Sequence, residues 1–219
     1  MQILYEDNHL LAVVKPCGLA TMGLAAGEET LLTCVKDYIK RKYDKPGEVY
    51  LGVVSRLDVP VSGVVLFART SKAAARLNEQ FRTHSVTKIY VALAEGSLDP
   101  PEGEWVDWIQ EDKRHRKVWL TRSGDGKEAK LQYRTLQKIG VNSMIEIRLE
   151  TGRKHQIRVQ LAGHGSPIFG DGKYGAKTDF PNGIALHAWK LSVTHPTTQQ
   201  HIELTASLPA VWKKFAAVF

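Results

Sequence analysis

Residues 55–63 read SRLDVPVSG and lie between two apolar runs, residues 50–54 and 64–67. An Arg and an Asp at this place have two interpretations. Asp58 can brace an ordinary turn through its side chain, as Asp commonly does. Alternatively, Asp58 is a reactive carboxylate held at the mouth of a sheet. The local sequence favours the turn, so the decision depends on the rest of the chain.

The composition is typical of a folded, basic protein. The 219 residues are 43% hydrophobic and include five Trp, six Phe and seven Tyr, which is enough for a core. Lys and Arg total 30 against 23 Asp and Glu, a net charge of +7. This excess suits a polyanion such as nucleic acid, although many basic proteins bind none.

Cellular location is inferred from the cysteines and the apolar stretches. Cys17 and Cys34 lack a CxxC spacing and predict reduced thiols. The N-terminus carries acidic residues and does not resemble a signal peptide. No apolar stretch approaches the ~20 residues that a membrane span needs. We therefore expect a cytoplasmic protein without membrane contact.

Strand-like segments outnumber helical ones and follow one another in groups. Helices are predicted from Thr30 as N-cap to Lys42, from Ser71 as N-cap, within residues 151–163, and from Ser207 as N-cap to Lys214. Strands are predicted at residues 3–5, 10–15, 64–67, 88–95, 105–109, 117–121, 129–137, 144–150, 184–194 and 201–205, and a loop at 97–104. Because the order is not a βαβ alternation, we predict an α+β fold with a largely antiparallel sheet.

Two segments are rich in positive charge. In residues 151–160, TGRKHQIRVQ, a helix from Lys154 onward would place Lys154 and Arg158 on one face, with Ile157 and Leu161 towards the core. No acid occurs between Thr151 and Phe169, which indicates an external anion or a buried carboxylate partner. Residues 112–117, DKRHRK, form either a solvated hairpin tip or a phosphate contact, and both interpretations remain open.

Two other patterns carry no chemistry by themselves. Residues 170–175, GDGKYG, match G-x-G-x-x-G but lack the preceding hydrophobic strand and the following helix of a dinucleotide site, so turn glycines are the better interpretation. The eight histidines form no HExxH or comparable arrangement, and we predict no zinc site.

Three separated stretches together match one family. RLD with SG shortly after it, the strand KIYVAL, and TGRKHQIR followed by GDGKYG resemble the RluA-type pseudouridine synthases, which isomerise uridine in ribosomal or transfer RNA. The opening ILYEDNHLLAVVKPCGL, LHAWKLSVTHP and IELTASLP extend the resemblance over nearly the whole chain. The sequence departs from the family at Ser55 and Gln160, where His is usual, and at Val61, where Thr is usual.

The resemblance implies a single pseudouridine synthase domain over residues 1–219, without a separate N-terminal RNA-binding domain. Its fold is a largely antiparallel mixed sheet flanked by helices and loops, with the catalytic cleft in the middle. Asp58 is implied as the catalytic carboxylate and Arg158 as its ion-pair partner. Arg56 is implied to fill the space that the flipped base vacates, and Tyr90 to stack on that base or serve the C5 proton transfer.

Partners follow from the same resemblance. Arg56 is expected to bind RNA in the space that the flipped base vacates, and Lys88, Arg153 and Lys154 are expected to contact RNA phosphates. The reaction is an isomerisation and needs no metal or redox cofactor. We expect a monomer that binds RNA and not DNA, and the sequence does not choose between ribosomal and transfer RNA.

Two hypotheses from other classes compete with the enzyme. The first is a non-catalytic RNA-binding or RNA-chaperone protein on the same scaffold, supported by the basic charge and by Ser55 and Val61. The second is an oxidoreductase that binds a nicotinamide or flavin at residues 170–175.

Overall fold

The computed structural model describes residues 1–23, 28–115 and 117–215. The chain divides into two compact units. The first contains Met1–Val86 and Lys190–Ser207, and the second contains Thr87–Trp189 and the segment from Leu208. That the two units work as the single catalytic domain predicted from the sequence stays a prediction.

The described residues form eleven strands, three α-helices and two short 3₁₀ helices. The strands are β1 (Gln2–Glu6), β2 (Leu10–Lys15), β3 (Gly52–Val53), β4 (Ser62–Ala68), β5 (Thr87–Ala94), β6 (Glu102–Asp112), β7 (Lys117–Thr121), β8 (Lys127–Ile139), β9 (Asn142–Leu149), β10 (Leu186–Thr194) and β11 (His201–Thr205). The helices are α1 (Leu31–Lys42), α2 (Ser71–Arg82) and α3 (Gln156–Gly163), and the 3₁₀ helices are Gly172–Tyr174 and Ala210–Lys214.

In the first unit, β2 and β4 pair antiparallel from Leu10↔Ala68 to Lys15↔Gly63. Side chains alternate between the two faces of a strand, and here both faces are covered. The face of β2 that includes Leu10 packs in the cluster containing Leu77 of α2, while the face that includes Leu11 packs in the cluster containing Val35 of α1. Burial on both faces explains the nearly continuous apolar sequences of β2 and β4.

The second unit has the strand order β5-β9-β8-β6-β7, and each of these pairs is antiparallel. Val159 of α3 packs with Ile109, Val118 and Ala129. The predicted α+β class with largely antiparallel pairing is therefore confirmed. Among the described residues, no helix has both the length and the apolar character required to cross a membrane.

Three predicted boundaries were wrong. The loop expected at residues 97–104 ends earlier, because Glu102 already pairs with Arg134 of β8. The terminal helix expected from Ser207 is a 3₁₀ helix that follows Pro209, since a residue before proline is restricted to extended conformations. The cap of α2 is Thr70 and not Ser71, whereas Thr30 caps α1 as predicted.

The cap of α2 gives a direct stability test. Thr70 has extended backbone angles, and its Oγ1 accepts a hydrogen bond from the N–H of Ala73 at 3.1 Å. We expect Thr70→Ala to lower the free energy of unfolding by about 1 kcal/mol, because that N–H loses its partner. The matched control Ser71→Ala should change it little. Urea denaturation of both variants measures the difference, and equal losses would contradict the assignment of the cap.

Candidate functional site

Hydrogen bonds fasten the segment that carries Arg56 and Asp58. Between these two residues, Leu57 makes two bonds to one hydroxyl group. Thr21 Oγ1 donates to the carbonyl of Leu57 at 3.0 Å and accepts from its N–H at 3.1 Å. Beyond Asp58, the Asp58 carbonyl accepts from the N–H of Val61 at 3.1 Å and closes a turn. Arg56 is exposed and Asp58 is half-buried, so both remain accessible on a fixed backbone.

Lys15, at the end of β2, holds the same segment from the interior. Its side chain is fully buried, which is rare for lysine. Nζ donates to the carbonyls of Pro16 (3.0 Å), Leu19 (2.6 Å) and Val59 (3.1 Å). The Val59 carbonyl, directly after Asp58, also accepts from a second donor, the N–H of Gly18, at 2.9 Å. The Lys-Pro-x-Gly motif therefore positions the segment that contains Asp58.

Burial lowers the pKa of Lys15 to about 8, although the charges of Cys17 and Asp58 oppose this shift. An ammonium removed from water is disfavoured relative to the neutral amine. The opposing effect of Asp58 shows that Lys15 and Asp58 lie close enough to attract each other. This role of Lys15 was not predicted from the sequence, because lysine side chains are usually exposed.

In the second unit, Arg158 makes a bidentate ion pair with Asp171. Arg158 Nε and Nη2 donate to the two carboxylate oxygens of Asp171 at 2.7 Å and 2.8 Å. The side chains are 6% and 2% exposed. Two parallel charge-assisted bonds fix both the position and the plane of the guanidinium. The pairing of Arg158 with Asp58 that the sequence predicted stays a prediction.

Asp171 is the buried carboxylate that the sequence left open as one alternative. It lies two residues beyond the acid-free stretch that ends at Phe169. The same GDGKYG segment supplies Tyr174, whose ring centroid lies 5.1 Å from Arg158 Cζ and whose hydroxyl lies 2.7 Å from His155 Nδ1. The segment does form a turn, as interpreted from its glycines, but its acidic and aromatic residues were overlooked.

The structure corrects the expectation for Lys154. Helix α3 begins at Gln156, and His155 precedes it with φ 54°, in the left-handed region. Lys154 therefore lies before the helix and does not share a helical face with Arg158. Its Nζ instead pairs with Glu111 at 2.6 Å, which lowers the pKa of that carboxyl. Ile157 and Leu161 are buried as predicted.

Lys88 and Arg153 lie close enough to repel each other, and the hydrogen bonds described for both go to backbone carbonyls. Lys88 Nζ donates to the carbonyl of Thr151 at 3.3 Å, and Arg153 Nε donates to that of Glu128 at 2.8 Å. Burial lowers the pKa of Lys88, and the charge of Arg153 lowers it further. Tyr90 is half-buried and lies on the same face of β5, two residues after Lys88.

Gln156 links the turn before α3 to β8 through hydrogen bonds, a role that was not predicted from the sequence. Its Oε1 accepts from Thr151 Oγ1 at 2.8 Å and from the N–H of Arg153 at 3.0 Å, while its Nε2 donates to the carbonyl of Lys130 at 3.2 Å. Gln156 is 3% exposed. One amide thus ties the turn before α3 to β8, which fixes the backbone of Arg153.

The departures from the family pattern have structural roles. Ser55 Oγ accepts from the N–H of Leu66 at 3.1 Å, and Gln160 Nε2 donates to Asp107 Oδ2 at 2.8 Å. Val61 is buried. These three substitutions therefore take part in packing and hydrogen bonding within their own units.

Removing the buried Arg158–Asp171 ion pair should cost more unfolding free energy than removing an exposed ion pair. We expect Asp171→Asn to lower the free energy of unfolding by about 3 kcal/mol or more, because it removes the counter-charge of a buried guanidinium. Glu111→Gln, which breaks the exposed pair with Lys154, should cost little. Urea denaturation compares the two, and similar losses would show that the buried pair contributes no more than the exposed one.

Lys15 predicts a specific dependence of stability on pH. The unfolded chain holds this proton up to its ordinary pKa of 10.5, whereas the folded protein releases it near 8. Between these values the unfolded state binds more protons, so the contribution of Lys15 to stability rises with pH.

We therefore expect the free energy of unfolding to rise more from pH 8 to 10.5 in the wild type than in Lys15→Met. Lys40→Met, at an exposed position of α1, should behave as the wild type. Denaturation series at each pH measure the slopes. Identical slopes for all three proteins would show that the pKa of Lys15 is not lowered in the folded protein.

Comparison with known proteins agrees with the sequence resemblance. The RNA pseudouridylate synthase family profile matches residues 9–163. The chain is 35% identical over 225 residues to the uncharacterized RNA pseudouridine synthase YhcT of Bacillus subtilis (strain 168), covering all of this chain and 72% of that protein. It is also 35% identical over 224 residues to the ribosomal large subunit pseudouridine synthase D of Xanthomonas campestris pv. campestris, covering 95% of this chain and 66% of the relative.

A solved structure has the same fold. Human RNA Pseudouridylate Synthase Domain Containing 4 superposes with a TM-score of 0.80 at 25% identity, over 98% of this chain and 92% of that one. The match extends beyond the residues of the family profile. The predicted fold and the prediction of an RNA pseudouridine synthase are both confirmed, and the chain belongs to the RNA pseudouridylate synthase family.

Proposed function

We propose that this protein converts specific uridines of structured RNA to pseudouridine, with Asp58 as the catalytic carboxylate. The main support for this proposal is that hydrogen bonds fix the backbone on both sides of Asp58. Its neighbours Leu57 and Val59 are held by Thr21, Gly18 and Lys15, while its own side chain is half-buried. A catalytic group needs such positioning, since small displacements of the reacting atoms reduce the rate strongly.

The reaction breaks the N1–C1′ bond of uridine and forms a C5–C1′ bond after the base turns. C5 then loses its proton, and N1 ends protonated, so the atoms balance without an oxidant or reductant. A carboxylate can attack C1′ or C6 as a nucleophile, or remove a sugar proton at the start of a glycal route. Asp58 is the reacting carboxylate in each of these routes.

The uridine has to leave its stack before a carboxylate reaches it, at a cost of a few kcal/mol. Arg56 is exposed and lies two residues before Asp58. Its planar guanidinium can stack and donate hydrogen bonds at once, which suits the space left by the base. In this proposal Arg56 holds the RNA open while Asp58 acts.

Arg158 and Tyr90 complete the proposed chemistry. A guanidinium near a carboxylate favours its ionised, reactive form, so Arg158 would keep Asp58 charged. The bidentate ion pair with Asp171 supports this role because it fixes the plane of the Arg158 guanidinium. Tyr90 would stack on the base, and its hydroxyl would serve the proton transfer at C5.

Phosphate binding is proposed at Lys88 and Arg153, with Lys154 as a further contact. The charge of Arg153 lowers the pKa of Lys88, which indicates that the two cations repel each other. A phosphate between them would relieve this repulsion and stabilise both charges. Lys154 already pairs with Glu111, so we expect it to contribute less.

Ribosomal RNA of the large subunit is the favoured substrate. Several relatives at 31–35% identity are named ribosomal large subunit pseudouridine synthase D. We propose that the protein acts on this RNA in the cytoplasm as a monomer, and transfer RNA remains the alternative substrate.

Replacing Asp58 tests the catalytic assignment. With RNA carrying tritium at uridine C5, we expect Asp58→Asn to reduce tritium release by about 10²–10⁴-fold or more, because the carboxylate is the reacting group. RNA affinity should persist, since the phosphate contacts remain. Asp44→Asn makes the same chemical change at an exposed position and should keep normal turnover.

Normal turnover by Asp58→Asn would refute the role of Asp58. If the wild type released no tritium from any cellular RNA yet bound RNA tightly, the non-catalytic RNA-binding hypothesis would replace the enzyme.

A further inference from the structure

The hairpin of β6 and β7 presents two tryptophans on one face. In its antiparallel register Trp108 pairs with Thr121 and Gln110 pairs with Trp119. Residues that pair directly point to the same side, so both tryptophans lie on one face as diagonal neighbours. Diagonal neighbours are within reach of each other when the side chains are aromatic.

The opposite face of the hairpin belongs to the core. Ile109 and Val118 pack there against Val159 of α3. The tryptophan face is instead open, because Trp119 is 38% exposed, Val106 is 42% exposed and Trp108 is half-buried. Single exposed apolar residues are ordinary, but neighbouring ones on a sheet face indicate a binding surface. We call Val106, Trp108 and Trp119 the tryptophan face.

The hairpin that carries the tryptophan face has a net positive charge, although Glu128 pairs with Trp108 on this face. Residues 111–130 contain seven Lys or Arg against four Asp or Glu. Two of those acids are engaged locally, Glu111 with Lys154 and Asp112 with His115. In the described ranges, Lys113, Arg114 and Lys117 form no ion pair, and all three are exposed. The basic turn therefore offers cations to an external anion.

We propose that the tryptophan face is a stacking platform for unpaired bases of the RNA substrate beyond the target uridine, with Lys113, Arg114 and Lys117 on its phosphates. This inference rests on the proposed function. Aromatic side chains beside a basic surface are the arrangement that binds single-stranded RNA, because every base offers a face for stacking. The net positive charge beside the aromatic pair favours a polyanion such as RNA over a protein partner.

The position of β7 makes the platform reachable. β7 ends the strand order of the second unit, so one edge of that strand carries no neighbour among the described residues. A strand is about 4.8 Å wide. A flexible single strand of RNA can pass around this edge, from the face covered by α3 to the tryptophan face. A rigid duplex does not bend so sharply, which limits the platform to unpaired nucleotides.

The test compares two RNAs, a stem-loop that the wild type modifies and the same stem-loop with a single-stranded extension. We expect the extension to strengthen binding by the wild type. Trp119→Ala should lose about fivefold or more of the affinity for the extended RNA and bind the bare stem-loop normally. Turnover at saturating RNA should stay unchanged. Trp119→Phe should retain the gain, since it keeps an aromatic ring.

Tyr50→Ala is the control, because Tyr50 is also an exposed aromatic residue (51%) but lies in the first unit. It should bind both RNAs as the wild type does. Fluorescence anisotropy measures the affinities, and thermal melting verifies that each variant is folded.

Equal binding of the extended RNA by Trp119→Ala and the wild type would overturn the inference and leave the proposed function intact. A wild-type dimer that Trp119→Ala converts to a monomer, with RNA affinity unchanged, would also overturn it and assign the face to a second copy of the chain. Absence of turnover by the wild type would instead refute the proposed function itself.

Discussion

The buried ammonium of Lys15 is the interaction on which the candidate site depends. An unpaired charge removed from water is very unfavourable, so it persists only when hydrogen bonds replace hydration. Three carbonyls do so here, and one belongs to Val59, next to Asp58. Strand β2 thus ends in the lysine that supports the segment carrying Asp58. The core that buries β2 on both faces also determines where that carboxylate lies.

The two units stabilise their buried cations in different ways. Lys15 is bound by neutral carbonyls, and burial lowers its pKa to about 8. Arg158 is bound by a carboxylate of equal and opposite charge, so Asp171 cancels much of its long-range field. Arg158 is therefore suited to short-range, oriented hydrogen bonding, whereas Lys15 stabilises the backbone next to Asp58.

Features that depend on local sequence could be predicted, and those that depend on distant partners could not. The cap at Thr30 follows from the residues beside it, and KIYVAL was recognised as a strand from its composition. Asp171 was missed because its partner lies thirteen positions earlier and reaches it through a turn. The start of β6 at Glu102 depends on a register with β8, and the start of α3 on the left-handed backbone of His155. Neither is visible in a local pattern.

A crystal structure of the Asp58→Asn protein bound to an RNA that the wild type modifies shows whether position 58 meets a uridine taken out of its stack. If Asp58 is the catalytic carboxylate, the target uridine lies outside the helix, with C1′ or C6 within about 3.5 Å of the side chain at position 58. A target uridine that stays stacked in the RNA, out of reach of that side chain, would contradict this role of Asp58.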